Sequence, residues 1–182
     1  TEEERAALWR GRKKAFGALG RLAPDMVVQD ATVPRSRLPE VLGRISGIAQ
    51  RHGLLIANVF HAGDGNLHPN LLFDRRDPEQ VRRVETASLE IMALCVDAGG
   101  TITGEHGVGL DKRRFMPLVH GPDELRAQEA VRRIFDPRGL WNPGKVLPDT
   151  SGAPSALDDP RRPAPSPGGP AVRATGTPVD PP

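Results

Sequence analysis

Leu54-Leu-Ile-Ala-Asn-Val-Phe-His61-Ala-Gly-Asp-Gly-Asn-Leu-His68-Pro-Asn-Leu-Leu-Phe73 decides how the rest of the chain is read. Leu54 to Phe60 is a short continuous apolar run, the pattern of a buried strand. Leu67 to Phe73 is a second apolar run, and Gly63-Asp64-Gly65-Asn66 between them is a turn. The two runs therefore form a hairpin, which brings His61 and His68 back to one mouth. Pro69 carries no N–H for a ladder and demotes the second strand to a weakly paired position.

Working outward, Met26 to Val33 suits a strand ended by Pro34, and Leu38 to Gln50 places Leu38, Leu42, Ile45 and Ala49 at helical spacing. Asp77-Pro78-Glu79-Gln80 is a helix start, and Val81, Val84, Ser88, Ile91, Cys95 and Ala98 follow one stripe up to Gly99-Gly100. Thr101 to Thr103 reads as a short strand leading into Gly104-Glu105-His106-Gly107. Helical stretches follow at about 112–119 and 122–135. At the front, Thr1 to about Leu22 reads as a helix with Thr1 and Glu4 as a capping box. Leu8, Trp9, Arg12, Ala15, Phe16 and Leu19 share its face. The order predicts an α+β fold, an antiparallel sheet with helices packed on one face, completed by C-terminal helices.

Composition sets limits. The net charge is +2 with both signs interspersed, so no basic stripe marks a nucleic-acid partner. Cys95 is the one cysteine, which excludes a disulfide framework and fits a reducing compartment. No apolar run approaches the roughly 20 residues that cross a bilayer. Residues 149–182 hold nine of the nineteen prolines and no aromatic residue, and are expected to form a disordered tail outside a 1–148 domain. The chain begins at Thr1 in mid-pattern and is expected to be a piece of a longer protein.

His61 and His68 flank one tight glycine turn, and Glu105-His106 sits at another glycine-lined strand end. Two neutral imidazoles and a carboxylate form a first shell for a catalytic divalent metal with an open position. Asp64, before Gly65 in the turn, reads as a turn former or a support to a ligand. Three chemistries suit such a shell: redox chemistry on a chelated substrate, hydrolysis by an activated water, or a structural metal. A structural zinc commonly uses four ligands with thiolates, and Cys95 stands alone in a helical pattern.

His61-Ala-Gly-Asp-Gly-Asn-Leu-His68, Gly104-Glu-His-Gly-Val-Gly109 and Phe135-Asp-Pro-Arg-Gly-Leu-Trp-Asn-Pro-Gly-Lys145 resemble the C-terminal domain of FAD-linked 2-hydroxyacid oxidases and dehydrogenases, in the vanillyl-alcohol oxidase-type superfamily. The likeness runs from Ala7 to Pro148 and is strongest to the FAD-linked subunit of bacterial glycolate oxidases. It implies a ferredoxin-like substrate or cap domain. It implies His61, His68 and Glu105 as metal ligands (zinc, manganese or iron), and His106 as the base. Arg12 would hold the substrate carboxylate and Asn70 would be a polar substrate contact. Asn142 and Lys145 would lie on the cofactor side, with Asn66 assigned there too. It also implies FAD, bound mainly by an N-terminal domain that nothing here resembles. The expected partner is an iron–sulfur electron-transfer subunit, and the expected location is the cytoplasm or, through partners, the inner face of the membrane.

Where the 2-hydroxyglutarate branch of that family carries Thr and Lys for a second carboxylate, this chain has Phe16 and Val28. The expected substrate is a small 2-hydroxy monocarboxylate, glycolate or D-lactate. A metal-dependent hydrolase remains the alternative, but it has no stated need for the Asn-Pro-Gly-Lys end or for the Arg12 helix.

Overall fold

The structure is a computed structural model, and it describes residues 1–148. The expected tail lies outside the described residues. The elements are α1 (Glu2–Leu19), β1 (Asp25–Val28), β2 (Ala31–Thr32), α2 (Leu38–Arg51), β3 (Leu55–His61), β4 (Asn66–Phe73), α3 (Pro78–Asp97) and α4 (Pro122–Phe135). Short 3₁₀ turns cover Arg35–Arg37 and Arg113–Leu118.

The sheet is antiparallel and α+β in setting, with β4 at its centre. β3 lies along one side of β4, joined by the expected hairpin with His61 opposite Asn66. β1 and β2 share the other side. Gly65 allows the turn: its φ is +73° and a Cβ there would meet the Val33 carbonyl oxygen at 2.1 Å.

Alternation along β4 separates two faces. Leu67, Leu71 and Phe73 point to the helices and join Val41, Ile45 and Ile48 of α2 and Val84, Ala87, Ile91 and Cys95 of α3 in the core. Each such aliphatic side chain contributes about 1.5–3 kcal/mol on full burial. Asn66, His68 and Asn70 point to the other face, and all three are buried. The Asp77 carboxylate caps α3 by accepting from the N–H groups of Glu79 and Gln80.

Four expectations change. Pro69 stands in the central strand, not in a weakly paired one. The stretch 26–33 breaks into two strands at Gln29-Asp30, although both halves keep one register: Val28 faces Asn70 and Ala31 faces Leu67. The two changes have one cause. Gln29 lies opposite Pro69 and donates its N–H to the Pro69 carbonyl at 2.9 Å, but proline has no N–H to return. The missing donor faces the interruption. In addition, Thr101 to Thr103 forms a single bridge, Thr101 to Thr32, instead of a strand, and the helix expected at 112–119 is a 3₁₀ turn containing Pro117.

α1 buries no residue and leaves Leu8, Trp9 and Phe16 exposed. No helix of the described residues is long and apolar enough to cross a membrane.

Candidate functional site

The hairpin and the segment after α3 meet at one carboxylate oxygen. Glu105 Oε1 lies 3.0 Å from His68 Nε2, 3.7 Å from His61 Nε2 and 3.9 Å from His106 Nε2. The His68 and His106 rings stack with centroids 5.1 Å apart, and His61 meets His68 edge-on at 5.4 Å. His68 is buried at the floor, whereas His61, Glu105 and His106 are about half exposed at the mouth.

His68 is held from behind. Its Nδ1 faces the Gln29 backbone carbonyl at 3.3 Å. That carbonyl is the one Pro69 leaves without a partner in the ladder. A carbonyl only accepts, so Nδ1 carries a hydrogen and, in the neutral ring, Nε2 presents its lone pair to Glu105. Nε2 then faces a carboxylate oxygen, also an acceptor. A cation between them, or a proton on the ring, satisfies both.

The 3.0 Å between His68 Nε2 and Glu105 Oε1 suits two donors on one divalent ion, while the 3.7 Å from Glu105 to His61 Nε2 is wider. Two donors each about 2.1 Å from one ion lie roughly 3.0 Å apart at a right angle and roughly 3.4 Å apart at a tetrahedral angle. The atoms offered by His61, His68 and Glu105 all lie within 4.8 Å of one another. A second grouping, Asp30 with His68 and His106, meets the same distance. It is chemically different, because one oxygen of Asp30 is already crowded with donors, while the other accepts only the Glu105 N–H at 3.3 Å. Its Oδ2 accepts from Thr103 Oγ1 (2.8 Å), the backbone N–H groups of Gly104 (3.0 Å), Glu105 (3.2 Å) and His106 (3.0 Å), and Lys112 Nζ (2.9 Å). Burial would push this carboxyl up. The bonds from the His106 backbone, Lys112 and Thr103, with the Lys112 charge, instead hold it well below the usual carboxylate range.

Gly104 is required by contact. A Cβ there would lie 2.6 Å from both Asn66 Oδ1 and Thr32 Oγ1. Asn66 is thus packed under the loop of the imidazole cluster. Asn142 and Lys145 are exposed on the loop after α4, where Arg132 donates to the Trp141, Asn142 and Lys145 carbonyls. No hydrogen bond or shared cleft joins them to Asn66 among the described residues. Their loop reaches the site's neighbourhood through the Val146 N–H to the Gly109 carbonyl at 2.7 Å and through Arg113, which donates to the Gly144 carbonyl at 2.7 Å.

Asn70 is fully buried, and its Nδ2 donates to the carbonyls of Ala57 (2.9 Å) and His68 (2.7 Å). Its Oδ1 has no partner among the described residues. Arg12 is half-buried on α1, and among the described residues no hydrogen bond or ion pair ties it to the imidazoles or to any acid. Asp64 stays exposed in the turn, its N–H donating to the His61 carbonyl at 3.0 Å. His106 and Val28 line one cleft of about 840 Å³, with Phe115 and Lys112.

Gln29, Asp30 and Lys112 were not among the expected site residues. One signal was available: a Gln-Asp pair inside an otherwise apolar strand-like stretch. Nothing in the spacing tied it to Lys112.

A family model described as "FAD linked oxidases, C-terminal domain" matches residues 1–146. The chain is 48% identical over 147 residues to the glycolate oxidase subunit GlcD of Escherichia coli, covering 81% of this chain and 30% of that one. It is 43% identical over 147 residues to the Bacillus subtilis glycolate oxidase subunit GlcD (81% and 31%). It is 34% identical over 148 residues to a mitochondrial D-lactate dehydrogenase [cytochrome] of Arabidopsis thaliana (80% and 26%). The chain spans about a third or less of the length of these relatives.

Proposed function

The chain belongs to the FAD-linked oxidases as their C-terminal domain, and on that premise we propose that it seats the substrate of a flavin-dependent 2-hydroxyacid dehydrogenase or oxidase. The names of the relatives, a glycolate oxidase subunit and a D-lactate dehydrogenase, support glycolate or D-lactate as that substrate. The observation that carries the assignment is the convergence of His61, His68 and His106 on Glu105 Oε1.

FAD, bound mainly by the part of the relatives that this chain does not span, supplies the hydride acceptor. A divalent ion held by His61, His68 and Glu105 supplies Lewis acidity at the substrate hydroxyl. The chain's residues do the rest. His68 is oriented by Gln29, so its Nε2 points into the mouth. His106, half exposed and stacked on His68, accepts the hydroxyl proton at Nε2. Arg12 is a guanidinium free of ion partners among the described residues, and it pairs with the substrate carboxylate in a bidentate fork. Val28, in the cleft that His106 rims, and Phe16 carry no cation for a second carboxylate, so any such contact would fall to Arg75, Arg113 or Arg114, which line the same cleft as Val28. The word "subunit" in the relatives' names supports a partner chain. We assign that partner to electron transfer through iron–sulfur centres, with the assembly in the cytoplasm or at the inner face of the membrane.

Full-length protein, assayed with glycolate, D-lactate and D-2-hydroxyglutarate, tests this. The monocarboxylates should lead by at least about tenfold in kcat/KM, a difference of roughly 1.4 kcal/mol. Arg12→Lys should weaken all three acids. Best turnover of the dicarboxylate would overturn the substrate assignment. Full turnover of protein stripped of divalent ions would overturn the metal.

A further inference from the structure

The most heavily bonded carboxylate among the described residues lies behind the imidazole cluster and takes no part in the chemistry above. Asp30 is completely buried, and so is nearly all of Lys112, 82 positions further on. Lys112 Nζ bonds both to Asp30 Oδ2 at 2.9 Å and to the Asp30 carbonyl at 2.6 Å. The same carboxylate takes three successive backbone N–H groups, those of Gly104, Glu105 and His106. Three amides aimed at one anion make a concave nest, which curls the backbone around the charge.

The residue before Asp30 holds the other side of the site, because the Gln29 carbonyl faces His68 Nδ1. One dipeptide, set where the strand is interrupted opposite Pro69, therefore grips His68 from the sheet and Glu105-His106 from the loop. We propose that Asp30, locked by Lys112, is a positioning residue that sets Glu105 and His106 against His68. Its effect on an ion rests on the metal assignment above. Its effect on the loop does not.

An isolated buried carboxylate is costly, and so is an isolated buried ammonium. Each is tolerated here because it satisfies the other and because the spare lone pairs are filled by the loop. Neutralising Asp30 removes the charge around which the amides curl and frees the loop while the sheet stays paired. Groups that support metal ligands from behind typically change metal affinity by about 10–100-fold when replaced.

The experiment uses full-length protein with Asp30→Asn, Thr103→Ala and, as a packing control in α2, Ile45→Val. Amide hydrogen exchange over 103–107, zinc affinity by chelator competition and the visible spectrum of the cobalt-loaded protein are measured well below each Tm. Asp30→Asn should speed exchange across Gly104, Glu105 and His106 at least about tenfold, weaken zinc about 10–100-fold and change the cobalt spectrum. Thr103→Ala removes one bond to the same oxygen. It should move all three readouts in the same direction by less, and it serves if Asp30→Asn does not fold. Ile45→Val should lower Tm and move none of them. Unchanged loop exchange in the Asp30 and Thr103 variants overturns the proposal, as does faster exchange with zinc affinity intact. A wild-type protein that binds no zinc or cobalt counts against the metal assignment, and the exchange data then decide the clamp alone.

Discussion

The β3–β4 hairpin and helix α1 both carry residues assigned to one site, but they are built in opposite ways. His68 is embedded in the central strand, 5% exposed, with a backbone carbonyl behind it and Glu105 in front. Arg12 sits on a helix that buries none of its residues and exposes Trp9 at 59%. The end of the site proposed to hold a metal is pre-organised within this chain. The proposed carboxylate clamp, Arg12, is displayed on an element that leaves Leu8, Trp9 and Phe16 exposed. α4 and its loop resemble α1 in this, with Ile134, Phe135 and Trp141 exposed. Exposed large apolar groups on the two elements at the ends of the matched region suggest where further protein surface packs.

That contrast can be broken most sharply at His106. In full-length protein His106→Ala should reduce kcat by about 10²–10⁴-fold while metal content stays constant. Metal analysis beside steady-state kinetics checks it, and loss of the ion would make His106 a ligand instead of the base. Next comes Leu71→Ala in the central strand, which should cost about 2–5 kcal/mol of stability in this chain. Denaturant unfolding measures it, and a small loss would show that the sheet is less central than its packing implies. A lesser effect belongs to the α3 cap: Asp77→Ala should cost about 1 kcal/mol, read from the same unfolding curves. The smallest belongs to α1. Trp9→Ala in this chain alone should change stability by less than about 0.5 kcal/mol, since surface replacements away from packed features rarely do more. A loss of 2 kcal/mol or more, by contrast, would mean that α1 docks on the body, and the contrast would disappear.

Pro69 shows why part of the fold was misread. The rule that proline weakens a strand assumes that the lost N–H faces a partner wanting it. Here it faces Gln29, whose carbonyl serves His68 instead. The residue looks like a defect in one strand and acts as a fitting between two. The stretch 26–33 was misread for the same reason, since its break comes from the strand opposite. The imidazole cluster was legible because glycine turns and short apolar runs place His61 and His68 within a few residues of one bend. The resemblance groups Asn66 with Asn142 and Lys145; its packing against Gly104 is a contact that a linear spacing does not reveal.

By itself the sequence determined the α+β class, the hairpin, the pairing of two histidine-bearing strand ends with Glu105, and the family. These depend on preferences that act over one turn or one strand: alternation, glycine at positive φ, and caps. Only the tertiary structure decided which strand is central, that a proline can lie in it, and that Asp30 is the anchor of the Glu105–His106 loop. The physical reason is distance along the chain. The donors to Asp30 come from positions 73 to 82 residues away, and a buried charge is stable only once all of them have been brought to it.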